Sequence, residues 1–249
     1  MIFTTLTAMK RLALRVVDRT LGSFLRVLQN TMIVREKPRL TVLESLDRFF
    51  IEESSQFIRN NIEDSLIFSE KTKLWEYTCG FLRESSSGVP LILEFGVYKA
   101  ESINYFASQC KSADVYGFDS FEGLLEDWKG HTMPARTFDL GGILPVVLPN
   151  VTLVKGWFNE TLPIFVREHS GRKISLLHMD ADTYESTSFV LNSLTSFIQP
   201  GTIIIFDEFY GYPNWKQHEH RAWIEFIRES GFNYKYIAFS EMQVAIKII

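Results

Sequence analysis

The chain has 249 residues, of which 46% are hydrophobic and 22% are charged, a balance typical of a folded globular protein rather than a disordered one. Its formal net charge of −4 does not provide the basic surface that nucleic-acid binding requires. Two cysteines, Cys79 and Cys110, are too few for a disulfide framework or a cysteine-rich metal site. We expect both to be buried thiols of a protein in a reducing compartment, the cytoplasm.

The first 35 residues carry six basic side chains and one acidic side chain. Apolar residues recur at helical spacing between the arginines, which predicts a basic amphipathic helix over residues 5–30. This helix could pack on the rest of the protein or on a second subunit, or it could lie on a membrane surface. Basic residues interrupt the apolar runs before they reach the length of a membrane span or of a signal peptide. We therefore expect a soluble or peripheral protein that forms a homo-oligomer.

Two further helical patterns, 41–60 and 66–83, precede Pro90, where the pattern of apolar residues changes. From there, short apolar runs bounded by turn residues alternate with amphipathic helical patterns. This alternation predicts a parallel sheet covered by helices on both faces. The predicted strands are 91–95, 115–118, 151–154, 174–179 and 202–206, and the predicted helices are about 100–110, 159–169, 184–198 and 216–230.

The last two apolar runs, 233–239 and 243–249, are joined by too few residues for a parallel crossover, so they should form an antiparallel hairpin. The sequence therefore predicts a Rossmann-like, doubly wound α/β fold. Its sheet should be mostly parallel and seven-stranded, with an antiparallel C-terminal hairpin, and N-terminal helices should precede it. This outline resembles that of class I methyltransferases. We place a domain boundary between an N-terminal helical extension, 1–65, and the methyltransferase-like domain, 66–249.

Ligands of doubly wound sheets bind beyond the carboxyl ends of the strands. The first predicted strand is followed by Gly96, which permits a tight turn and a close backbone approach to a ligand, although a purely structural turn would need it equally. Asp119 ends the second strand, where a nucleotide-binding fold holds ribose hydroxyls, although it could instead cap a loop. Trp157 follows the third strand and could cover an adenine ring or belong to the core.

The fourth and fifth strands both end in acidic residues, Asp180 in the first case and Asp207 with Glu208 in the second. Asp180 and Asp207 are 27 residues apart, the length of one strand–helix–strand crossover, so both should emerge at the same edge of neighbouring strands. Carboxylates that converge there repel one another unless a cation lies between them. Oxygen ligands with open positions suit Mg²⁺ or Mn²⁺, whereas solvated acids at the rim are the alternative.

Asp182 allows two interpretations. Its spacing to Glu185 is that of a capping box, so it could simply start the next helix. It could instead act as a general base two residues from a metal ligand. His178 lies within a buried strand and is interpreted as a core histidine, and His218 and His220 do not form the HExxH zinc pattern and should be exposed.

Together these motifs resemble the TylF (macrocin O-methyltransferase) family over residues 66–249. The resemblance is carried by Glu94-Phe95-Gly96-Val97-Tyr98, by residues 117–124 (Gly-Phe-Asp-Ser-Phe-Glu-Gly-Leu), by Gly156-Trp157-Phe158, by residues 180–187 (Asp-Ala-Asp-Thr-Tyr-Glu-Ser-Thr) and by the closing Gln243-Val244-Ala245-Ile246-Lys247. It implies an S-adenosylmethionine-dependent O-methyltransferase that uses Mg²⁺ (or Mn²⁺) and methylates a hydroxyl of a sugar or glycosylated small molecule.

The resemblance also implies roles for particular residues. Glu94, Gly96 and Ser102 would line the methionine end of the cofactor, Asp119 would hold the ribose, and Ser120, Gly156 and Trp157 would lie near the adenine. Asp180 would lie beside the cofactor and would bind the metal together with Asp207 and Glu208. Asp182 would be the base.

The sequence departs from the family pattern at several positions. Ala100 and Glu101 stand where the family usually has glycines, Glu208 stands where a second Asp is usual, and Leu125 replaces a common proline. Two other functions therefore remain open. A dinucleotide-dependent oxidoreductase could use the same fold, although it requires a GxGxxG motif that the chain lacks. A non-catalytic cofactor-binding or scaffold protein would explain the altered glycines.

Overall fold

A computed structural model describes residues 41–84, 88–125, 127–128 and 133–249 of the chain. The basic helix predicted at 5–30 lies outside these residues. Six α-helices are described: α1 (Val42–Asn61), α2 (Lys71–Glu84), α3 (Glu101–Gln109), α4 (Phe158–Glu168), α5 (Tyr184–Ser193) and α6 (Glu219–Ser230). None of the helices described here is long and apolar enough to cross a bilayer.

The eight described strands form one sheet. They are β1 (Leu66–Phe68), β2 (Leu91–Phe95), β3 (Asp114–Asp119), β4 (Val151–Lys155), β5 (Leu176–Met179), β6 (Ile203–Phe206), β7 (Tyr234–Ser240) and β8 (Gln243–Ile248). Their order across the sheet is β1-β7-β8-β6-β5-β2-β3-β4. Only β8 runs antiparallel to its neighbours, β6 and β7. The predicted Rossmann-like fold with an antiparallel C-terminal hairpin is confirmed.

The sheet has eight strands rather than the predicted seven, because residues 66–68 form a strand and not the first turn of a helix. Leu66 pairs in parallel register with Ala238 of β7 at the sheet edge. The following helix begins only at Lys71. Three residues are too few to show strand periodicity, so this pairing could not be read from the local pattern.

Helix α1 lies within the range predicted as the N-terminal extension. Its Phe57 packs against Phe209, Trp215 and Tyr236, with ring centroids 5.4–5.9 Å apart. Residues Leu46–Ile249 form one compact unit, so most of α1 belongs to the sheet domain and packs against its core through Phe50, Phe57 and Ile58.

The order of the strands places a topological switch point between β2 and β5. From β2 the chain continues outward through β3 and β4, whereas β5 and β6 lie on the other side of β2. Every residue of β2, β5 and β6 is buried, as expected for central strands covered on both faces. Ligands bind at such a switch point, so the residues that follow β2 and β5 define the candidate site.

Gly96, directly after β2, is required by this packing. Its φ is +91°, and a Cβ added there would lie 1.8 Å from the backbone oxygen of Asp180. Only glycine therefore lets the loops after β2 and β5 approach this closely.

Ala100, which precedes α3, has φ 65° and ψ 30°, a left-handed conformation that costs an L-residue about 1–2 kcal/mol. Glycine avoids that cost, but it raises the conformational entropy of the unfolded chain, which lowers the free energy of unfolding by about 0.4–1 kcal/mol. We therefore expect Ala100→Gly to raise the free energy of unfolding by up to about 1 kcal/mol, measured by urea denaturation. Ala107→Gly, inside α3, is the control and should lower it by about 1 kcal/mol. Similar losses in both variants would contradict this explanation.

Candidate active site

A cavity of about 460 Å³ lies at the carboxyl ends of the central strands. Eight of the residues predicted from the sequence line it: Gly96, Asp119, Ser120, Trp157, Asp180, Asp182, Asp207 and Glu208. Its wall also includes the apolar side chains of Leu124, Phe138 and Phe189. A mixed apolar and acidic cavity of this size can hold a small organic molecule together with a second reactant.

Three acidic side chains converge in this cavity. One carboxylate oxygen from each of Asp180, Asp207 and Glu208 lies within 4.8 Å of the others. Burial and the charge of Asp207 raise the pKa of Asp180 and of Glu208 well above their usual values. The Glu208 Oε2 atom is buried and accepts no hydrogen bond from the described residues. The cluster therefore concentrates negative charge that the described protein groups only partly compensate.

The imidazole of His178, on β5, compensates part of this negative charge. It is fully buried on β5, with Nδ1 2.9 Å from Glu94 Oε2 and Nε2 3.5 Å from Asp207 Oδ1. Burial alone would lower the pKa of His178, but Asp207 and Glu94 outweigh it and raise the pKa to about 10. Burial likewise raises the pKa of Asp207, yet its contact with the positively charged His178 leaves that pKa below its usual value. The prediction of a core histidine is confirmed, and its contact with Asp207 is a finding of the structure.

Three predicted cofactor residues do not line the cavity. Glu94 is fully buried on β2, where its carboxylate contacts His178 and the hydroxyl of Ser102. Ser102 itself is 8% exposed on α3. Gly156 has φ +139°, and a Cβ there would lie 2.8 Å from Thr161 Cγ2, so it serves the turn between β4 and α4.

Asp119 shapes the loop that follows β2. Its Oδ2 accepts hydrogen bonds from the backbone N–H groups of Val97 and Tyr98, both at 2.8 Å, and its Oδ1 accepts one from Phe121 at 2.7 Å. The carboxylate thus ties the ends of β2 and β3 together at the cavity wall. Each oxygen has two acceptor positions, so both positions of Oδ2 are used and one position of Oδ1 remains for a ligand hydroxyl.

Asp182 does not cap α5, so the capping interpretation is wrong. The N-cap is Thr183, whose hydroxyl accepts the backbone N–H of Ser186. Asp182 instead has a left-handed backbone with φ 61°, is 7% exposed and lines the cavity. Burial, followed by the charges of Asp207 and Asp119, raises its pKa to about 8. A strained, buried acid with this pKa is the kind of group that transfers protons near neutrality.

Sequence reasoning missed Glu219, the first residue of α6. It is fully buried, and its Oε2 accepts the backbone N–H of Glu208 at 3.1 Å. The expectation that His218 and His220 are exposed is wrong. His218 is 7% exposed, and His220 packs between the rings of Phe57 and Trp215. A short 3₁₀ helix, Trp215–Gln217, precedes this segment, and the contacts of His218 with Tyr212 and of His220 with Trp215 are not evident from the local polar composition.

Comparisons with known proteins agree with this geometry. Residues 93–209 match a family model described as a methyltransferase domain. A curated relative, the 8-demethyl-8-(2,3-dimethoxy-alpha-L-rhamnosyl)-tetracenomycin-C 4'-O-methyltransferase of Streptomyces olivaceus, is 28% identical over 147 residues, which are 50% of this chain and 55% of the relative. The chain thus aligns with about half the length of this relative.

Two solved structures share the fold. CalS11, a calicheamicin methyltransferase, superimposes with a TM-score of 0.58 at 19% identity, covering 84% of this chain and 94% of its own. The O-methyltransferase NovP superimposes with a TM-score of 0.51 at 21% identity, covering 70% of this chain and 79% of its own. The strand order and these superpositions show a Rossmann-like methyltransferase fold, and residues 93–209 are similar to the methyltransferase-domain family.

Proposed function

We propose that the protein is an S-adenosylmethionine-dependent O-methyltransferase that acts on a hydroxyl of a sugar or glycosylated small molecule with the help of Mg²⁺ or Mn²⁺. One observation carries the proposal. The Gly96 turn, suited to a close cofactor approach, and the cluster of Asp180, Asp207 and Glu208 open into the same cavity.

The cofactor would lie along the ends of β2, β3 and β4. Gly96 and Asp180 would border its methionine end, Asp119 would hold the ribose hydroxyls, and Ser120 and Trp157 would border the adenine. Glu94, Ser102 and Gly156 would act from behind this surface. Glu94 would hold His178 in place, and Ser102 would orient Glu94 through its hydrogen bond. Gly156 would shape the turn that positions Trp157.

The cavity suits a hard divalent cation. Asp180, Asp207 and Glu208 offer oxygen ligands only, and the buried Glu208 Oε2 lacks a donor among the described residues. A bound Mg²⁺ or Mn²⁺ would neutralise these carboxylates and stabilise negative charge that develops on the acceptor oxygen. The longer Glu208 side chain fits this arrangement, since its oxygen reaches the other two.

Asp182 would accept the proton of the acceptor hydroxyl at its carboxylate. An aliphatic hydroxyl is a poor nucleophile until it is deprotonated, so a base within reach is needed. The charge of Asp207 is part of what raises the pKa of Asp182, so neutralisation of Asp207 would favour the ionised, proton-accepting form. The cavity walls would align the oxygen with the methyl group, and such positioning can contribute up to about 7–11 kcal/mol.

The acceptor class rests on similarity. The Streptomyces relative is named for a rhamnosyl-bearing substrate, and CalS11 is described as a TDP-rhamnose 3'-O-methyltransferase. The motif resemblance to the TylF family supports the same class.

Cys79 and Cys110 are both free and buried, which supports the cytoplasm as the compartment. We further propose residues 66–249 as the methyltransferase domain and residues 1–65 as its N-terminal extension, in which the basic segment 5–30 contributes oligomer or membrane contacts.

A methyl-transfer assay tests the proposal. Purified protein would be incubated with methyl-labelled S-adenosylmethionine, Mg²⁺ and a panel of rhamnosyl glycosides, nucleotide-linked rhamnose and the sugar-free aglycones of those glycosides. We expect label on a sugar hydroxyl of at least one acceptor and loss of transfer in excess chelator. Transfer only to acceptors without a sugar would contradict the acceptor class, and undiminished transfer in chelator would contradict the cation.

A further inference from the structure

We propose that Gln243 and Trp75 form a buried support that fixes the orientation of the Asp207 carboxylate for cation binding. Neither residue lines the cavity, and both would act as positioning residues. The inference rests on the cation site of the proposed function.

The sheet register brings the three residues together. Strands β6 and β8 are antiparallel neighbours in which Phe206 pairs with Val244, so Asp207 and Gln243 are the next pair along. Gln243 Nε2 donates a hydrogen bond to Asp207 Oδ1. On its other side, the Nε1–H group of Trp75, from α2, donates to Gln243 Oε1 at 3.0 Å. Gln243 and Trp75 are 2% and 1% exposed, so water does not replace these contacts.

The chemistry of the two side chains permits only one orientation of the amide. An indole N–H can only donate, and the Gln243 side chain has one acceptor oxygen and one donor NH₂ group. The oxygen must therefore face Trp75, which turns the NH₂ group toward Asp207. In the flipped amide, two donors would face each other and the carbonyl oxygen would face a carboxylate, and both contacts would be unfavourable in a buried site.

A second group, the imidazole of His178, forms an ion-pair contact with the same carboxylate oxygen. His178 Nε2 lies 3.5 Å from Asp207 Oδ1, and the imidazole is held in turn by Glu94. Gln243 and His178 thus approach Oδ1 from two elements of the fold, which leaves Oδ2 as the oxygen that they do not occupy. A carboxylate held in this way does not have to be reoriented when a cation binds, and such supporting contacts commonly change metal affinity 10–100-fold.

The test compares two tryptophan-to-phenylalanine variants of the full chain. Trp75→Phe removes the donor to Gln243, whereas Trp223→Phe makes the same change at a fully buried indole whose Nε1 lacks a hydrogen-bond partner among the described residues. Mn²⁺ affinity would be measured by electron paramagnetic resonance, and thermal unfolding would be recorded in parallel. We expect Trp75→Phe to weaken Mn²⁺ binding about 10-fold and Trp223→Phe to change it less than twofold.

A second pair of variants separates positioning from a general packing defect. Gln243→Met removes the donor to Asp207 with little change in length and should weaken Mn²⁺ binding by at least as much as Trp75→Phe. If Trp75 acts through Gln243, the double variant should bind Mn²⁺ no more weakly than Gln243→Met alone.

Equal Mn²⁺ affinities for Trp75→Phe and Trp223→Phe would overturn the inference, as would additive losses in the double variant. Absence of saturable Mn²⁺ binding by the wild type would instead remove the cation site, and the inference with it. Methyl transfer by the wild type in excess chelator would identify that case.

Discussion

Asp182→Asn is expected to lower methyl-transfer turnover at least about 100-fold while leaving S-adenosylmethionine affinity close to that of the wild type. Asn cannot accept the proton of the acceptor hydroxyl, whereas it tolerates the left-handed backbone at this position about as well as Asp does. The substitution therefore removes the base and preserves the backbone conformation of the loop. Steady-state kinetics and calorimetric titration of the cofactor measure the two effects. Turnover close to that of the wild type would show that the proton leaves by another route.

The same variant has a predictable effect on stability. Asp182 has a pKa of about 8 in the folded protein, against about 4 when it is unfolded. Between these values the folded state retains a proton that the unfolded state has lost, so wild-type stability falls as the pH rises from about 4 to 8. The variant has no such proton. Without added divalent cation, its Tm should therefore rise relative to that of the wild type across this range.

Asp114→Asn is the matched control. Asp114 begins β3 at the opposite end of the sheet and forms a half-exposed ion pair with Arg172. The same chemical change there should leave turnover, cofactor affinity and the pH dependence of the Tm near wild-type values. Parallel changes in both variants would indicate a general electrostatic effect rather than a role of Asp182.

Asp207→Ala and Glu208→Gln should each lower Mg²⁺-dependent turnover at least about 100-fold, because a cation ligand contributes several kcal/mol to the stabilisation of charge. Their stabilities should differ. Asp207→Ala leaves the buried His178 with one fewer carboxylate, and breaking a buried pair costs about 3–5 kcal/mol. Glu208→Gln removes an acid whose pKa is already raised by burial, so it should fold at least as well as the wild type.

Turnover would be measured across Mg²⁺ concentrations and stability by urea unfolding. Glu168→Gln, at the exposed end of α4, is the control and should change neither quantity. If Glu208→Gln kept full turnover and wild-type Mg²⁺ dependence, Glu208 would not be a ligand.

Local patterns were sufficient to predict most of the sheet and the acidic cluster. The cluster was predictable because Asp180 and Asp207 each follow a buried parallel strand, and one crossover makes those strands neighbours. Short apolar runs bounded by turns likewise marked seven of the eight strands. In both cases the information lies within a few residues of the feature that it predicts.

Features that depend on strand order or backbone torsion were not predictable. The register of β2 against β5 places Glu94 beside His178, and a sequence does not state that register. The capping role of Thr183 rather than Asp182 depends on the left-handed φ of Asp182, since both residues have suitable side chains. The burial of Glu219 depends on the contact between the start of α6 and the loop that follows β6.

Calorimetric titration of the full-length protein with S-adenosylmethionine, S-adenosylhomocysteine and NAD tests the central claim most directly. We predict saturable binding of S-adenosylmethionine and S-adenosylhomocysteine, and no saturable binding of NAD. Binding of NAD without either methionine-derived ligand would contradict the claim and favour a dinucleotide-dependent oxidoreductase. Binding of none of the three would also contradict it, and would favour a scaffold protein with a methyltransferase-like fold.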